Sequence, residues 1–396
     1  MSRRRDLALL LVGAAVSTVG TSFTLMAVAI HVRPAGAVWV AGAMAAELVP
    51  VVVLAPVAGR LVDRVPNRGL LLASLALQGA AVALAAAVGL TRGREAVLVA
   101  ALVGVGVGSA VTAPTIAAML PHVSGEEAAT RAYGWYGAIT QVGFLAGFAT
   151  SGLLIEATSV RTALLLDAAS FAVLAVAVAL VRGHRVPTPS AAGDPSASAW
   201  AGFAALRTDR LLGIGVGGVA AAILVTVVVN VAEVFYVLED IGAGPGAYGL
   251  VTALWPAAGV VGGWWAGRLV GDRAMYRALA VATVVMGLAL AVAGAAVSLV
   301  AVGIGWTVGG AANALQRVAL TALVRSRVDD AVRGRAFAAV GAVLQVGNVV
   351  GLAAGAAVVG LVGARSSIVG AGLAAAAVGV GVGVLGRRPA SVAAAV

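Results

Sequence analysis

The sequence contains no cysteine and no lysine in 396 residues. Without thiols there is no disulfide framework and no thiolate metal site. Without lysine, every one of the 26 basic residues is arginine, and they set the net charge of +10. Charge itself is scarce, at 11%, against about 25% in an ordinary soluble domain. That is too little to cover the surface of the two or three soluble domains this length would otherwise suggest. Histidine is nearly absent too: His31, His122 and His184 stand in three separate connectors and make no metal constellation. There is no nucleophile motif, no phosphate loop and no cluster of His, Asp and Glu at one depth, so nothing points to an enzyme or to a bound cofactor. A basic chain can bind nucleic acid, but these arginines lie in the gaps between apolar runs rather than on one face. They read as topology determinants, with no nucleic-acid partner.

What the chain has in abundance is apolar sequence. Hydrophobic residues make up 61% and the mean hydropathy is +1.05. Runs of about 20 residues recur, each long enough to cross about 30 Å of hydrocarbon as a helix. Arg3–Arg5 precede a first run, 7–32, that is too long for a cleaved signal and is read as a retained span. Further runs follow at 38–58, 70–90, 97–120, 132–155 and 162–181. A polar stretch with Pro187, Pro189 and Pro195 then interrupts the pattern. Its end, around 199–207, has the composition of a short amphipathic helix lying in the interface. Runs resume at 211–238, 248–267, 278–297, 299–324, 336–362 and 366–386. The expected fold is an all-α polytopic membrane protein of about twelve transmembrane helices. It divides into a six-helix half (1–181), a cytoplasmic linker (182–210) and a second six-helix half (211–396).

Only Arg33, Arg92, Arg94, Arg161 and Arg365 fall on one side of this plan, while the great majority of arginines fall on the other. Positive charge marks the cytoplasmic side, which places both termini in the cytoplasm and the chain in the inner (plasma) membrane. The halves are also duplicates. Arg131 and Arg335 stand 204 residues apart, and at that offset Gly137/Gly341, Gln141/Gln345, Gly143/Gly347 and Gly147/Gly351 match without gaps. Six spans is an even number, so the second copy enters the membrane the same way up as the first. Such parallel repeats carry a pseudo-two-fold along the membrane normal and a shared site near the midplane.

One charged connector is used twice. It runs Gly59-Arg60-Leu61-Val62-Asp63-Arg64-Val65-Pro66-Asn67-Arg68 and returns as Gly267-Arg268-Leu269-Val270-Gly271-Asp272-Arg273. It resembles the G-x-L-x-D-R-x-x-x-R loop between the second and third helices of major facilitator superfamily transporters, and the resemblance covers essentially the whole chain. Ser17-Thr18-Val19-Gly20, Pro50, Pro56, Pro114, Leu120-Pro121, Asp167-Ala168-Ala169-Ser170-Phe171 and Arg333-Gly334-Arg335-Ala336-Phe337 look like the drug- and siderophore-exporting, macrolide-efflux-like branch. The chain departs from the drug antiporters at two places. Gly147 is followed by Phe148 rather than proline, and the fourth span, 97–120, holds no arginine. The resemblance implies a secondary transporter working by alternating access, a monomer that exports a small amphipathic or natural-product-like compound, with protons as a coupling ion. An importer or facilitator, and a membrane enzyme or receptor, are the alternatives.

The candidate gating residues are Gly59, Asp63, Arg64, Arg68, Gly267, Asp272 and Arg273. Gly59 and Gly267 are read as turn residues at helix ends. The family's Asp clamps the cytoplasmic ends together, which pairs Asp63 with the helix start at Ala336 and Asp272 with that at Ala132; plain topology charges are the other reading. For the cavity, the resemblance points to the first, fourth, seventh and tenth helices. Polar stripes at helical spacing run along them: Ser17, Thr21 and Thr24; Ser109, Thr112 and Thr115; Thr226, Asn230 and Glu233; Trp306, Asn313 and Arg317. Arg317 also lies within snorkelling reach of the cytoplasmic end. Glu47 lies about 13 Å below the outer end of its span, near the midplane. Charge is costly there, so Glu47 is the first candidate coupling carboxylate and Glu233 the second. A structural bond from Glu47 to Gln345 or Asn348 is the alternative. Trp255 and Trp306 lie deep enough to stack on a ligand, while Trp135, Trp264 and Trp265 read as interfacial aromatic belts.

Overall fold

The computed structural model describes residues 2–91, 93–183 and 200–386. Most of the expected linker, 184–199, lies outside the described residues, as does Arg92 from the orientation argument. The described residues are helical throughout, with no strand among them.

In chain order the helices are α1 (Ser2–Val32), α2 (Ala37–Arg64), α3 (Asn67–Leu84), α4 (Glu95–Ser124), α5 (Ala129–Ala157) and α6 (Val160–Leu180). They continue as α7 (Trp200–Thr208), α8 (Arg210–Thr226), α9 (Val228–Phe235), α10 (Pro245–Ala266), α11 (Asp272–Ala296), α12 (Leu299–Arg327), α13 (Asp330–Val362) and α14 (Ala364–Leu385). Helices α8 and α9, with one π-turn at Tyr236–Asp240, form a single broken span. Eleven stretches among the described residues are long and apolar enough to cross a membrane. The span expected at 248–267 is also a helix, α10, although it is not among those eleven. At 22 residues it is about 33 Å long, enough to cross.

The chain falls into two compact units. The first is Met1–Ala191 with Val237–Ala253, and the second is Ala192–Tyr236 with Leu254–Val396. In the first, α1 packs on α5 and α6, α2 on α4, and α3 on α4 and α6. In the second, α8 packs on α13 and α14, and α11 on α12 and α14. Glycine makes these approaches possible, because in lipid close van der Waals packing replaces the hydrophobic effect between helices. Gly143 sits over the Ala15 carbonyl and Thr18, and Gly147 over Ser22 and the Val19 carbonyl; Gly347 and Gly351 sit in the same way over Ala220 and Leu224. A side chain at Gly106 would collide with the Glu47 carbonyl, and one at Gly310 with the Trp255 carbonyl. Glu47 and Trp255 therefore occupy the same place in the two repeats.

Ends are pinned in matching places by opposite chemistry. At the start of α1, the buried Asp6 accepts from the amides of Arg182 and Gly183, both at 3.0 Å, just past α6. At the start of α8, Arg210 donates to the Leu385 carbonyl at the end of α14. The expected amphipathic helix exists as α7, and it is docked: Gly202 lies hard against the Arg335 backbone, and Leu206 enters the core with Leu212, Leu320 and Ala336. Trp135, Trp264 and Trp265 are 61%, 63% and 59% exposed, as belt residues must be, and Arg268 stacks 3.6 Å over Trp264.

Candidate functional site

The twice-used connector folds differently in its two copies. Gly59 is not a turn residue: α2 runs through it to Arg64, with open space around it and no left-handed backbone. The turn falls instead at Val65-Pro66, because Pro66 fixes an extended residue before it. Asp63 and Arg64 thus stand exposed on the last turn of α2. Gly267 is not left-handed either; that conformation belongs to Gly271, at φ +88°, which caps α11 and puts Asp272 in its first turn. A carboxylate there is favoured by the helix dipole. Asp272 also has partners inside its own unit: Arg327 Nη1 at 2.9 Å and Ser326 Oγ at 2.7 Å. Arg327 bonds in turn to Asp209, the N-cap of α8, at 2.5 Å. Arg273 is exposed, and Arg68 is committed to the Ala179 carbonyl on the last turn of α6.

Several residues of the expected cavity stripes are spent on packing. Thr21 and Thr226 donate to carbonyls of their own helices, Ser17 and Ala222. Ser109 donates to Gln78 Oε1 at 3.1 Å, and Thr112 meets Ser74 and Gln78 at 3.0 and 2.9 Å. The second repeat makes the same contacts with other residues. Asn313 reaches Met286 Sδ at 3.8 Å, and Gln316 donates to Thr283 at 2.6 Å. Polar contacts that both repeats keep hold α3 to α4 and α11 to α12; they belong to the fold. Asn230 and Arg317 are exposed. Gln345 and Asn348 bond to each other at 2.9 Å.

Other polar groups have no counterpart in the duplicate. In the first unit Asp167, fully buried, accepts from Thr24 of α1 at 2.5 Å and from Ser170 at 3.0 Å. Gly20 allows that approach, since a side chain there would strike Asp167 and Ser170. In the second repeat the corresponding places hold Val229, Ala371 and Ala374, and Glu47 is replaced by Trp255. The second unit has its own unmatched group: Glu233, 7% exposed, accepts from Trp306 Nε1 at 2.9 Å, and Trp255 meets Trp306 edge-on at 6.5 Å. Val28 and Leu102 stand at the first repeat's equivalents of Glu233 and Trp306.

The sequence reading named Glu47, Glu233 and Trp306 as candidates but not the bond between the last two, and it did not single out Asp167 as a candidate. The available signal was an ionisable residue in the middle of an apolar span. The broken seventh span was missed as well. Thr226 bonds back to Ala222, and the helix interrupts at Val227 between Thr226 and Asn230. Irregular backbone at membrane depth is tolerated where it is buried in protein or lines a wet cavity.

No curated protein matches the chain by sequence. Among solved structures, the nucleoside transporter NupG is similar at a TM-score of 0.77 and 11% identity, over 97% of this chain and 100% of that one. A bacterial homologue of the iron transporter ferroportin, in an inward-facing state, is similar at 0.76 and 14%, over 98% and 100%. The POT family transporter PepTSo is similar at 0.74 and 12%, over 97% and 98%. At such identities the likeness is one of fold. The family model of the Major Facilitator Superfamily matches residues 6–238. That is more than half of the sequence, so this chain belongs to the Major Facilitator Superfamily of secondary transporters.

Proposed function

We propose that this transporter exports a small amphipathic, natural-product-like compound by alternating access, with protons as the coupling ion. The exporting direction and the drug- and siderophore-exporter branch rest on the resemblance of residues 17–20, 167–171 and 333–337. The observation that carries the coupling is the departure from internal symmetry. A duplicated six-helix unit shows what the fold needs, and the carboxylates of Asp167 and Glu233, both buried, and of Glu47, half-buried on α2, are what it does without. Ionisable groups inside a membrane are costly and are kept for function. Asp63, on the last turn of α2, is proposed to favour the outward-open state. The arginine distribution supports a plasma-membrane protein with cytoplasmic termini; an impermeant maleimide that labels Ser196→Cys in intact cells would contradict that orientation.

Replacing Glu by Gln keeps shape and removes the charge. In proton-gradient-driven liposomes, Glu47→Gln or Glu233→Gln is expected to lose uphill accumulation while downhill substrate exchange continues. If both variants still concentrate substrate on the gradient, neither carboxylate is a coupling group.

A further inference from the structure

Residues 237–253 follow the linker and belong by sequence to the second repeat, yet they pack with the first six helices. Two separate contacts hold them. Glu156, near the end of α5, accepts from the Gly246 amide at 2.7 Å, on the first turn of α10. Four residues earlier, Gly152 is pressed against Pro245 and Gly249, and Gly249 in turn against the Phe148 carbonyl. Beside them Arg33, after α1, pairs with Glu239 at 3.3 Å. Because the helices alternate in direction, all of these lie at the end opposite the Asp63 connector.

The chemistry of the main contact is directional. A carboxylate meets the free amides and positive dipole end of a 22-residue helix, where negative charge is stabilised. No side chain stands between α5 and α10 at Gly152 and Gly249, so α10 can approach closely enough for Glu156 to reach its amides. The duplicate lacks the arrangement. On α13, Ala356 and Gly360 stand where α5 has Gly152 and Glu156. A six-helix repeat therefore folds without this carboxylate.

We propose that Glu156 is the catch of a latch on this end of the transporter. It holds the start of α10 on α5 in the state seen here and lets go when the transporter opens at that end. Arg33 and Glu239 form its second point of attachment. The proposal needs a transporter with two states, which the family supplies, and it is independent of substrate, direction and coupling ion.

The test uses the whole purified chain in lipid nanodiscs without substrate. Spin labels go on cysteines at Leu153 and Leu250, both 49% exposed; the native chain has no cysteine to interfere. The native protein is expected to show mainly one short distance. Glu156→Ala is expected to raise the longer-distance population about tenfold, the size of shift that about 1.4 kcal/mol of lost contact produces. Glu156→Gln, which keeps an acceptor but loses the charge, is expected to shift it less. Arg33→Glu and Glu239→Arg are each expected to act in the same direction, and the double exchange to restore the native distribution, an outcome that loss of packing alone would not produce. A distance distribution in Glu156→Ala that matches the native one overturns the proposal, whatever the protein is found to transport.

Discussion

A chain carrying Thr24→Val, Asp167→Ala and Ser170→Ala together is expected to fold as well as the native protein and to lose gradient-driven transport. The second repeat has already made the experiment on stability. It joins α8 and α9 to α14 with Val229, Ala371 and Ala374 in the corresponding places. Replacing both partners of a buried hydrogen bond by apolar groups of fitting shape is nearly neutral or stabilising. The melting temperature of the triple variant in detergent is thus expected to stay within about 4 °C of native or to rise. Asp167→Ala alone is expected to be less stable than the triple variant. It leaves the Thr24 and Ser170 hydroxyls without their acceptor, at about 1–3 kcal/mol for a buried group left unpaired, less whatever each recovers by bonding back to its own helix, as Thr21 does. A triple variant that melts far below native makes the cluster structural. One that still pumps uphill removes Asp167 from the mechanism.

Gly152→Val is expected to abolish turnover through the α5–α10 contact alone. A Cβ at Gly152 would collide with the Pro245 carbonyl and come within 3.0 Å of the Gly249 amide nitrogen, both of them backbone that cannot swing aside. Overpacking of this kind costs about 1–3 kcal/mol. Here the cost falls on the latched state and not on a state in which α10 has left α5. A cost of that size is a shift of about 5- to 150-fold between states. Gly137, on the same helix but facing open space, supplies the control. Gly137→Val is expected to transport normally, and equal loss in both variants would show that helix propensity, not the contact, is responsible.

How much of this was legible in the sequence depends on range. The spans and the repeat were legible because apolar runs and the Arg131/Arg335 register are local or periodic signals. Even the docked helix at 200–208 showed in its composition. Glycine was ambiguous. Gly59 and Gly267 both read as turn residues, but neither takes the left-handed backbone: Pro66 makes the first turn, and Gly271 makes the second. The Ser109 and Thr112 stripe was correctly seen as polar and wrongly aimed, since α3 supplies Gln78 and Ser74 to bond it. Asp167 stayed hidden because its meaning depends on Thr24, 143 residues away. The Glu156–Gly246 contact, 90 residues apart, crosses the linker and left no pattern to read.

The central claim is that this chain is a carrier whose symmetry-breaking carboxylates drive it. Uptake into proteoliposomes tests it most directly. A panel of amphipathic dyes and macrolide-like compounds is offered with and without an imposed pH gradient, to native protein and to the triple variant side by side. The account predicts saturable accumulation of at least one compound by the native protein. That accumulation should collapse with the gradient and be absent from a triple variant that is folded and still exchanges the same compound downhill. Flux in native liposomes no greater than in protein-free ones, or equal uphill accumulation by both proteins, contradicts it.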